Sequence, residues 1–266
     1  MGQLASCEPA HLSNPPTDAI ALLLQTSGST GTPKIVQQTH GALLARCQGI
    51  ALHRQFDAQA ISFNWMPLDH VGGIVMFHLR CVFTACREII APTTWVLADP
   101  LRWLDVCHRH HVTATWAPNF AYALIVAARE RLADYNWDLS SLNYMLNGGE
   151  AVVRQTAYEF LRLLAPFQLD GTCMVPSWGM SETCSGISSS PSFSLPESFQ
   201  EDTTPVPVGP PIPGHEFRLV DSQGAILTRE QEGELEVRGP AITCGYRNNP
   251  SANAEVFTDD GWFRTG

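Results

Sequence analysis

Five short apolar segments recur along the chain, each running into a loop of small or polar residues. They lie at 61–68, 87–93, 112–118, 142–149 and 173–183. Apolar residues at helical spacing predict helices before and between them, within 39–53, 69–83, 100–111, 120–135 and 152–165. Strands that alternate with helices predict an α/β fold, with a mostly parallel sheet flanked by helices. Because such sheets bind ligands at the carboxyl ends of their strands, we expect the site in the loops after these segments.

Changes in composition along the sequence predict four parts. Residues 1–19 are polar and indicate a tail or linker, and residues 20–190 carry the α/β core. Residues 191–214 are rich in Pro and Ser, which is typical of a surface connection. Residues 215–266 form short apolar runs joined by turns and predict a small C-terminal β unit. Within the core, the apolar run at 19–28 predicts a buried strand that enters a loop.

Composition argues against several classes of protein. The 26 acidic and 16 basic residues give a net charge of -10, which disfavours binding to a nucleic-acid backbone. The sequence shows neither an apolar run long enough to cross a membrane nor the pattern of a signal peptide. The 8 cysteines form no CxxC pair, so we interpret them as free thiols in a reducing cytoplasm. These features predict a cytoplasmic protein without nucleic-acid or membrane partners.

The segment 25–34, QTSGSTGTPK, predicts a phosphate-binding loop. Its glycines allow the backbone to approach a phosphate, its hydroxyls add hydrogen-bond donors, and Lys34 adds a positive charge. The segment is not a Walker A loop, because Thr32 and Pro33 separate Gly31 from Lys34. This spacing excludes a P-loop NTPase, and the lack of a GxSxG elbow argues against a serine hydrolase.

Segments 26–34, 147–150, 178–183, 233–240 and 260–266 together resemble the signature of the adenylate-forming superfamily. They read TSGSTGTPK, NGGE, WGMSET, GELEVRGP and DGWFRTG, and occur in the family's order, with a Gly-Tyr pair at 245 and 246. The chain is closest in look to adenylation domains of nonribosomal peptide synthetase and hybrid polyketide synthase modules. The resemblance covers the chain from about Leu22 onward.

The resemblance implies a chemistry and a set of site residues. In this superfamily a carboxylate attacks the α-phosphate of ATP to give acyl-AMP and pyrophosphate, and a thiol then accepts the acyl group. The implied cofactors are ATP and Mg²⁺, with coenzyme A or the phosphopantetheine of a carrier protein as acceptor. The implied catalytic residues are His70, Lys34 and Glu182, of which Glu182 would bind the metal. The implied ATP-binding residues are Thr26, Ser27, Gly28, Ser29, Thr30, Gly31, Lys34, Gly148, Gly149, Glu150, Trp178, Gly179 and Ser181.

The same resemblance bears on the acid. His70 would lie near the acyl carboxylate. Amino-acid-activating relatives carry an Asp that binds the substrate ammonium, and that position falls here on Val71, with Asp69 displaced by two. An apolar residue cannot neutralise an ammonium, so we expect an acid without an α-amine, such as a hydroxy, keto or aryl acid. The expected acyl-pocket residues are His70, Val71, Asn119, Phe120 and Gly148.

Two alternatives to this function stay open at this point. The family's ribose-binding Asp, hinge and C-terminal lid with its catalytic lysine would follow Gly266. A chain without them is expected to turn over poorly, as a catalytically incomplete nucleotide-binding or interaction fragment. The second alternative is an amino-acid-activating adenylation domain, if the register around His70 differs from the one assumed.

Overall fold

A computed structural model describes residues 14–26, 33–191, 193–194, 206–228 and 231–266. The strands are β1 (Ile20–Thr26), β2 (Lys34–Thr39), β3 (Ile61–Asn64), β4 (Arg87–Ile90), β5 (Ala114–Ala117), β6 (Tyr144–Gly148), β7 (Met174–Ser177), β8 (Gly179–Met180), β9 (Ser185–Gly186), β10 (Glu216–Val220), β11 (Glu234–Arg238) and β12 (Phe263–Arg264). The α-helices are α1 (His40–Arg54), α2 (Arg80–Thr84), α3 (Thr93–Ala98), α4 (Leu101–His110), α5 (Asn119–Ala127), α6 (Arg154–Leu164) and α7 (Pro250–Val256). A π-helix spans Gly72–Leu79, and 3-10 turns span Arg129–Asp134, Ala165–Phe167 and Ser181–Thr183.

A parallel five-stranded sheet with the order β4-β3-β5-β6-β7 carries the main core. Its helices are fastened to it by a buried aromatic cluster. Trp103 of α4 packs 5.2 Å from Tyr122 of α5 and 6.4 Å from Phe160 of α6, between ring centroids. The indole of Trp103 also donates a 2.9 Å hydrogen bond to Thr115 in β5. The α/β fold with a mostly parallel sheet flanked by helices is therefore confirmed.

The five predicted helices also form, one with a different geometry and one shortened. The segment 69–83 runs as a π-helix into α2, a geometry that the glycine-rich sequence did not indicate. The helix expected at 120–135 ends as α5 at Ala127 and continues as a 3-10 turn. Thr39 begins α1 by accepting a 3.1 Å hydrogen bond from the N–H of Ala42, as a capping threonine does.

The strand before the predicted phosphate loop is wrongly predicted as buried. β1 pairs antiparallel with β2 in a separate two-stranded hairpin, and of its seven residues only Leu24 is buried. The unbroken apolar run conceals a two-residue alternation, in which Leu22 and Leu24 face a second core cluster while Leu23 is exposed. An antiparallel hairpin with one face in solvent gives this pattern.

The C-terminal segment forms an antiparallel sheet with the order β10-β11-β12. Arg218 fastens it by contacting Glu236 at 2.6 Å and Asp260 at 2.7 Å. Glu236 is nearly fully buried, so its charge requires such a partner. The small β unit is thus present, whereas the exact boundaries at residues 19, 190 and 214 stay predictions. Residues 1–13, together with residues 192 and 195–205 of the connection, lie outside the described residues.

Candidate active site

A cleft of about 460 Å³ opens where the β1–β2 hairpin, the turn after β8 and the C-terminal segment meet. Its walls bring together residues that are far apart in the sequence. The lining residues are Thr26, Lys34, His70, Val71, Gly149, Gly179, Met180, Ser181, Glu182, Tyr246, Val256, Arg264, Thr265 and Gly266. Eight of the residues expected from the sequence are among them, including all three implied catalytic side chains.

The hairpin joins the two ends of the predicted phosphate loop. Thr26 is the last residue of β1 and pairs with Lys34, the first residue of β2. Both of these flanking residues line the cleft. The predicted ATP-binding residues Ser27, Gly28, Ser29, Thr30 and Gly31 lie outside the described residues. Lys34 is also the only lysine in the sequence, since the other basic residues are all arginines.

One carboxylate oxygen of Glu182 accepts a hydrogen bond from a neighbouring side chain, and the other is available for a ligand. It is only 5% exposed, and its Oε1 accepts a 2.8 Å hydrogen bond from the hydroxyl of Tyr246. Within the described part of the chain, no hydrogen bond reaches Oε2. Burial, followed by the negative charge of Glu182, raises the pKa of Tyr246, so the phenol stays a donor.

This carboxylate suits a divalent cation such as Mg²⁺. Mg²⁺ is commonly held by one or two carboxylates, with phosphate oxygens and water completing its shell. Glu182 offers one oriented oxygen beside a cleft that also holds Lys34. Among the described residues, no cluster of three or more His, Cys, Asp or Glu side chains could hold a metal by itself. The donor set therefore fits a metal that arrives with phosphates rather than a permanent metal centre.

Hydrogen bonds hold the turn that carries Glu182 against the hairpin. The buried side chain of Gln38 in β2 donates a 2.6 Å bond from Nε2 to the carbonyl of Ser181. The carbonyl of Glu182 accepts a 2.7 Å bond from the N–H of Thr243, whose hydroxyl in turn donates to the carbonyl of Gln37 at 2.6 Å. The hairpin, the turn and the segment around Thr243 thus form one frame around the cleft.

His70 borders both the cleft and a second, smaller hollow. Its Nδ1 accepts a 3.1 Å hydrogen bond from the N–H of Gly72, so the neutral ring carries its proton on Nε2. Burial lowers the pKa of His70, and the charge of Asp69 opposes this. At neutral pH the side chain is therefore a neutral ring with an N–H available as a donor.

The smaller hollow, about 30 Å³, lies at the carboxyl edge of the parallel sheet, where the topology predicts a site. It is lined by His70, Val71, Gly72, Met76, Trp116, Leu146, Gly148, Gly149, Ser177, Trp178, Gly179, Ser185 and Gly186. None of these residues carries a carboxylate. The ring of Trp116 forms one wall, stacked at 6.4 Å and 20° on the ring of His70.

The structure separates the expected substrate residues into two groups. His70, Val71 and Gly148 line the smaller hollow. Asn119 and Phe120 line neither hollow: Asn119 accepts hydrogen bonds from Asn147 and from the N–H of Val153, and the Phe120 ring is partly exposed. Their role in acyl binding stays a prediction.

The expected adenine-loop residues are also divided. Gly149 and Gly179 border both hollows, and Trp178 borders the smaller one, with its ring set edge-on to Phe217 at 5.9 Å. Glu150 instead accepts a 2.6 Å hydrogen bond from the N–H of Phe120 at the surface. Their contacts to a nucleotide stay predictions.

Sequence reasoning missed two residues at the centre of the site. Trp116 forms a wall of the smaller hollow, and Tyr246 contacts both Lys34 and Glu182 in the cleft. The position of Trp116 next to the carboxyl end of β5 could have indicated it. Tyr246 follows Gly245 in a recognised motif, but its sequence position gives no sign that it reaches Glu182.

The family model for AMP-binding enzymes matches residues 3–247 of the chain. The chain belongs to the AMP-binding enzyme family. It is 37% identical over 253 residues to the nonribosomal peptide synthetase pngA of Aspergillus terreus, a match that covers 93% of this chain and 26% of that protein. Family membership was expected from the five motifs and is confirmed.

Two solved structures of the family resemble the fold closely. One is the adenylation domain of a keto acid-selecting NRPS module bound to keto acyl adenylate, with 39% identity, a TM-score of 0.90 and coverage of 96% of this chain and 50% of that one. The other is McyG A-PCP complexed with phenylalanyl-adenylate, with 40% identity, a TM-score of 0.93 and coverage of 99% and 47%. The chain therefore spans about a quarter of the curated relative and half of these structures.

None of the helices in the described ranges has the length and apolar character needed to cross a membrane.

Proposed function

We propose that the protein activates a carboxylic acid with ATP, forming an acyl-adenylate and pyrophosphate. The observation that supports this most directly is the pair of adjoining hollows, which share His70, Val71, Gly149 and Gly179. The larger hollow has a mixed polar and apolar lining and carries Lys34 and Glu182, and the smaller one is narrow and largely apolar. The larger cleft has room for a triphosphate, and the apolar hollow beside it, at about 30 Å³, has room for a small apolar group of the acid next to its carboxylate.

In this proposal each group in the cleft has a defined task. Thr26 and Lys34 hold the terminal phosphates, together with the loop that joins them. Glu182 binds Mg²⁺, which supplies charge neutralisation for the phosphates when bound. His70, at the junction of the hollows, donates from Nε2 to an oxygen of the acid or of the α-phosphate. These contacts would hold two anions in line and stabilise the charge that develops between them.

The acid that fits best has no α-amine. The smaller hollow carries no carboxylate. The resemblance aligns its Val71 with the Asp of amino-acid-activating relatives. An ammonium there would lose its water shell without gaining a charged partner, which is costly. The similar domain with a bound keto acyl adenylate supports a keto acid or a related hydroxy or aryl acid.

A competing substrate class is an amino acid, favoured by the similarity to McyG with its phenylalanyl-adenylate. We propose the thiol of a carrier protein's phosphopantetheine, or of coenzyme A, as the acceptor of the acyl group in either case. A third possibility is that the chain binds nucleotide without turnover.

Pyrophosphate exchange by the intact protein tests these proposals. The acids should include α-keto, α-hydroxy and aryl acids, each paired with the L-amino acid of the same side chain. The proposal predicts exchange with a member of the first group and little with its amino partner. Preference for the amino acids would overturn the substrate class alone. If the intact protein binds nucleotide but shows no exchange with any acid tested, the result would favour nucleotide binding without turnover.

A further inference from the structure

Tyr246 contacts two charged groups of the cleft, Lys34 and Glu182. Its hydroxyl donates the 2.8 Å hydrogen bond to Oε1 of Glu182, and the Lys34 ammonium lies 4.8 Å from the centroid of its ring. Lys34 and Glu182 both line the cleft, yet no ion pair joins them in the described part of the chain. Both groups thus contact the same aromatic side chain and do not pair with each other.

The backbone of Tyr246 is held by Asn253 of α7. The side-chain oxygen of Asn253 accepts a 2.7 Å hydrogen bond from the N–H of Tyr246, and its amide nitrogen donates a 3.1 Å bond to the Tyr246 carbonyl. The preceding Gly245 has a φ of 124°, and a Cβ there would lie 2.9 Å from the Asn253 oxygen. A glycine is therefore required beside these two hydrogen bonds, which fix the backbone from which the tyrosine side chain extends.

Separation of the two charges matters for a site that receives phosphates and a cation. A direct pair between Lys34 and Glu182 would have to break before either group could bind its ligand. Contact with the face of a ring stabilises an ammonium without neutralising it. A hydrogen bond from a neutral hydroxyl orients a carboxylate and leaves its charge and its second oxygen available.

We propose that Tyr246 is a positioning residue of this cleft. Its hydroxyl orients Glu182 toward a divalent cation, and its ring holds Lys34 apart from Glu182, ready for the terminal phosphates. This inference rests on the proposed function, because it assumes that metal and triphosphate bind in the cleft. It predicts that the two halves of the tyrosine, hydroxyl and ring, affect different ligands.

Binding of a fluorescent ATP analogue to the intact protein, titrated with and without Mg²⁺, separates the two halves. Tyr246→Phe removes only the hydroxyl and should raise the Mg²⁺ concentration for half-maximal enhancement of binding about tenfold, the effect typical of a lost partner of a metal ligand. Its nucleotide affinity without metal should match that of the unchanged protein. Tyr246→Leu also removes the ring and should weaken metal-free binding about threefold. Tyr135→Phe, far from the cleft in sequence and in a separate ring stack with Trp137, is the matched control.

The possible outcomes distinguish this inference from the proposed function. If Tyr246→Phe keeps the Mg²⁺ dependence of the unchanged protein, or weakens metal-free binding as much as Tyr246→Leu does, the positioning role is overturned while the proposed function stands. If the unchanged protein shows no Mg²⁺-dependent nucleotide binding, both are overturned. Should Tyr246→Phe fail to fold, Asn253→Ala loosens the same ring and should raise the Mg²⁺ requirement. An unaltered requirement in a folded Asn253→Ala protein would then overturn the inference.

Discussion

Gly72 and Trp116 are in such close contact that a side chain at position 72 has no room. A Cβ on Gly72 would lie 2.2 Å from the Trp116 ring, well inside van der Waals contact. The same ring forms a wall of the smaller hollow. The absence of a side chain at Gly72 therefore sets where Trp116 stands, and with it the shape of the proposed acyl pocket.

Gly72→Ala should destabilise the protein and alter its choice of acid. Overpacking of this kind costs about 1–3 kcal/mol, because the ring or the π-helix must shift. We expect a lower denaturation midpoint and a changed ranking of acids in pyrophosphate exchange. Gly72→Ala combined with Trp116→Phe should recover part of the lost stability, since the smaller ring relieves the contact. Equal loss in the single and double variants would contradict the assignment of this contact.

The frame between the hairpin and the turn depends on Gln38. Gln38→Ala leaves the carbonyl of Ser181 without its 2.6 Å hydrogen bond in a partly buried setting. The expected loss is about 1–3 kcal/mol in the free energy of unfolding, measured by denaturant titration. Gln48→Ala on the exposed face of α1 is the matched control and should change stability by less than about 0.5 kcal/mol. Similar effects of the two substitutions would show that the bond contributes little.

The lowered pKa of His70 sets the direction in which stability and activity depend on pH. Burial holds its pKa below the ordinary value of 6.5, so the unfolded chain binds this proton more readily than the folded one. Its contribution to stability is therefore lost as the pH falls from about 6.5 through the folded pKa. The proposed donor role requires the neutral ring, so exchange activity should fall over the same acidic range.

Asp69→Asn tests this assignment of His70. Asp69 raises the pKa of His70, so its removal should lower that pKa further and move the acidic limb of the activity profile to lower pH. NMR titration of the His70 ring measures the pKa directly. A shift of the acidic limb of the activity profile to higher pH would contradict the role of Asp69. If the midpoint of this limb differs from the pKa measured by NMR, His70 is not the group that causes it.

Much of the fold could be predicted because local patterns agreed with it. The strands β3 to β7 carry short apolar runs, and the segments of α4 and α6 show clear helical spacing, so the α/β arrangement was evident. The burial of β1 was predicted wrongly because β1 pairs with β2 in a two-stranded hairpin, and one face of that hairpin is exposed to solvent. Pairing across the hairpin decides burial here, and the composition of the run does not reveal it.

The site residues that belong to sequence motifs could be predicted, whereas those that reach the site through packing could not. Lys34, Glu182 and His70 meet at one cleft, as their motifs indicated. Tyr246 and Trp116 enter the site through contacts with Glu182 and with the Gly72 backbone, which join segments far apart in the chain. Asn119 and Phe120 have the composition of pocket residues, but hydrogen bonds direct Asn119 into the core beside Asn147.

Binding of ATP and AMP to variants of Lys34 tests the central claim most directly, namely that this cleft holds a triphosphate through Lys34. Lys34→Met should weaken ATP binding by about tenfold or more, because a hydrogen bond to a charged group is lost, while AMP, which lacks the terminal phosphates, should bind as before. Lys34→Arg keeps the charge, so its affinity for ATP should lie between those of Lys34→Met and the unchanged protein. Equal affinities of Lys34→Met and the unchanged protein for ATP, or an equal loss for ATP and AMP, would contradict the account.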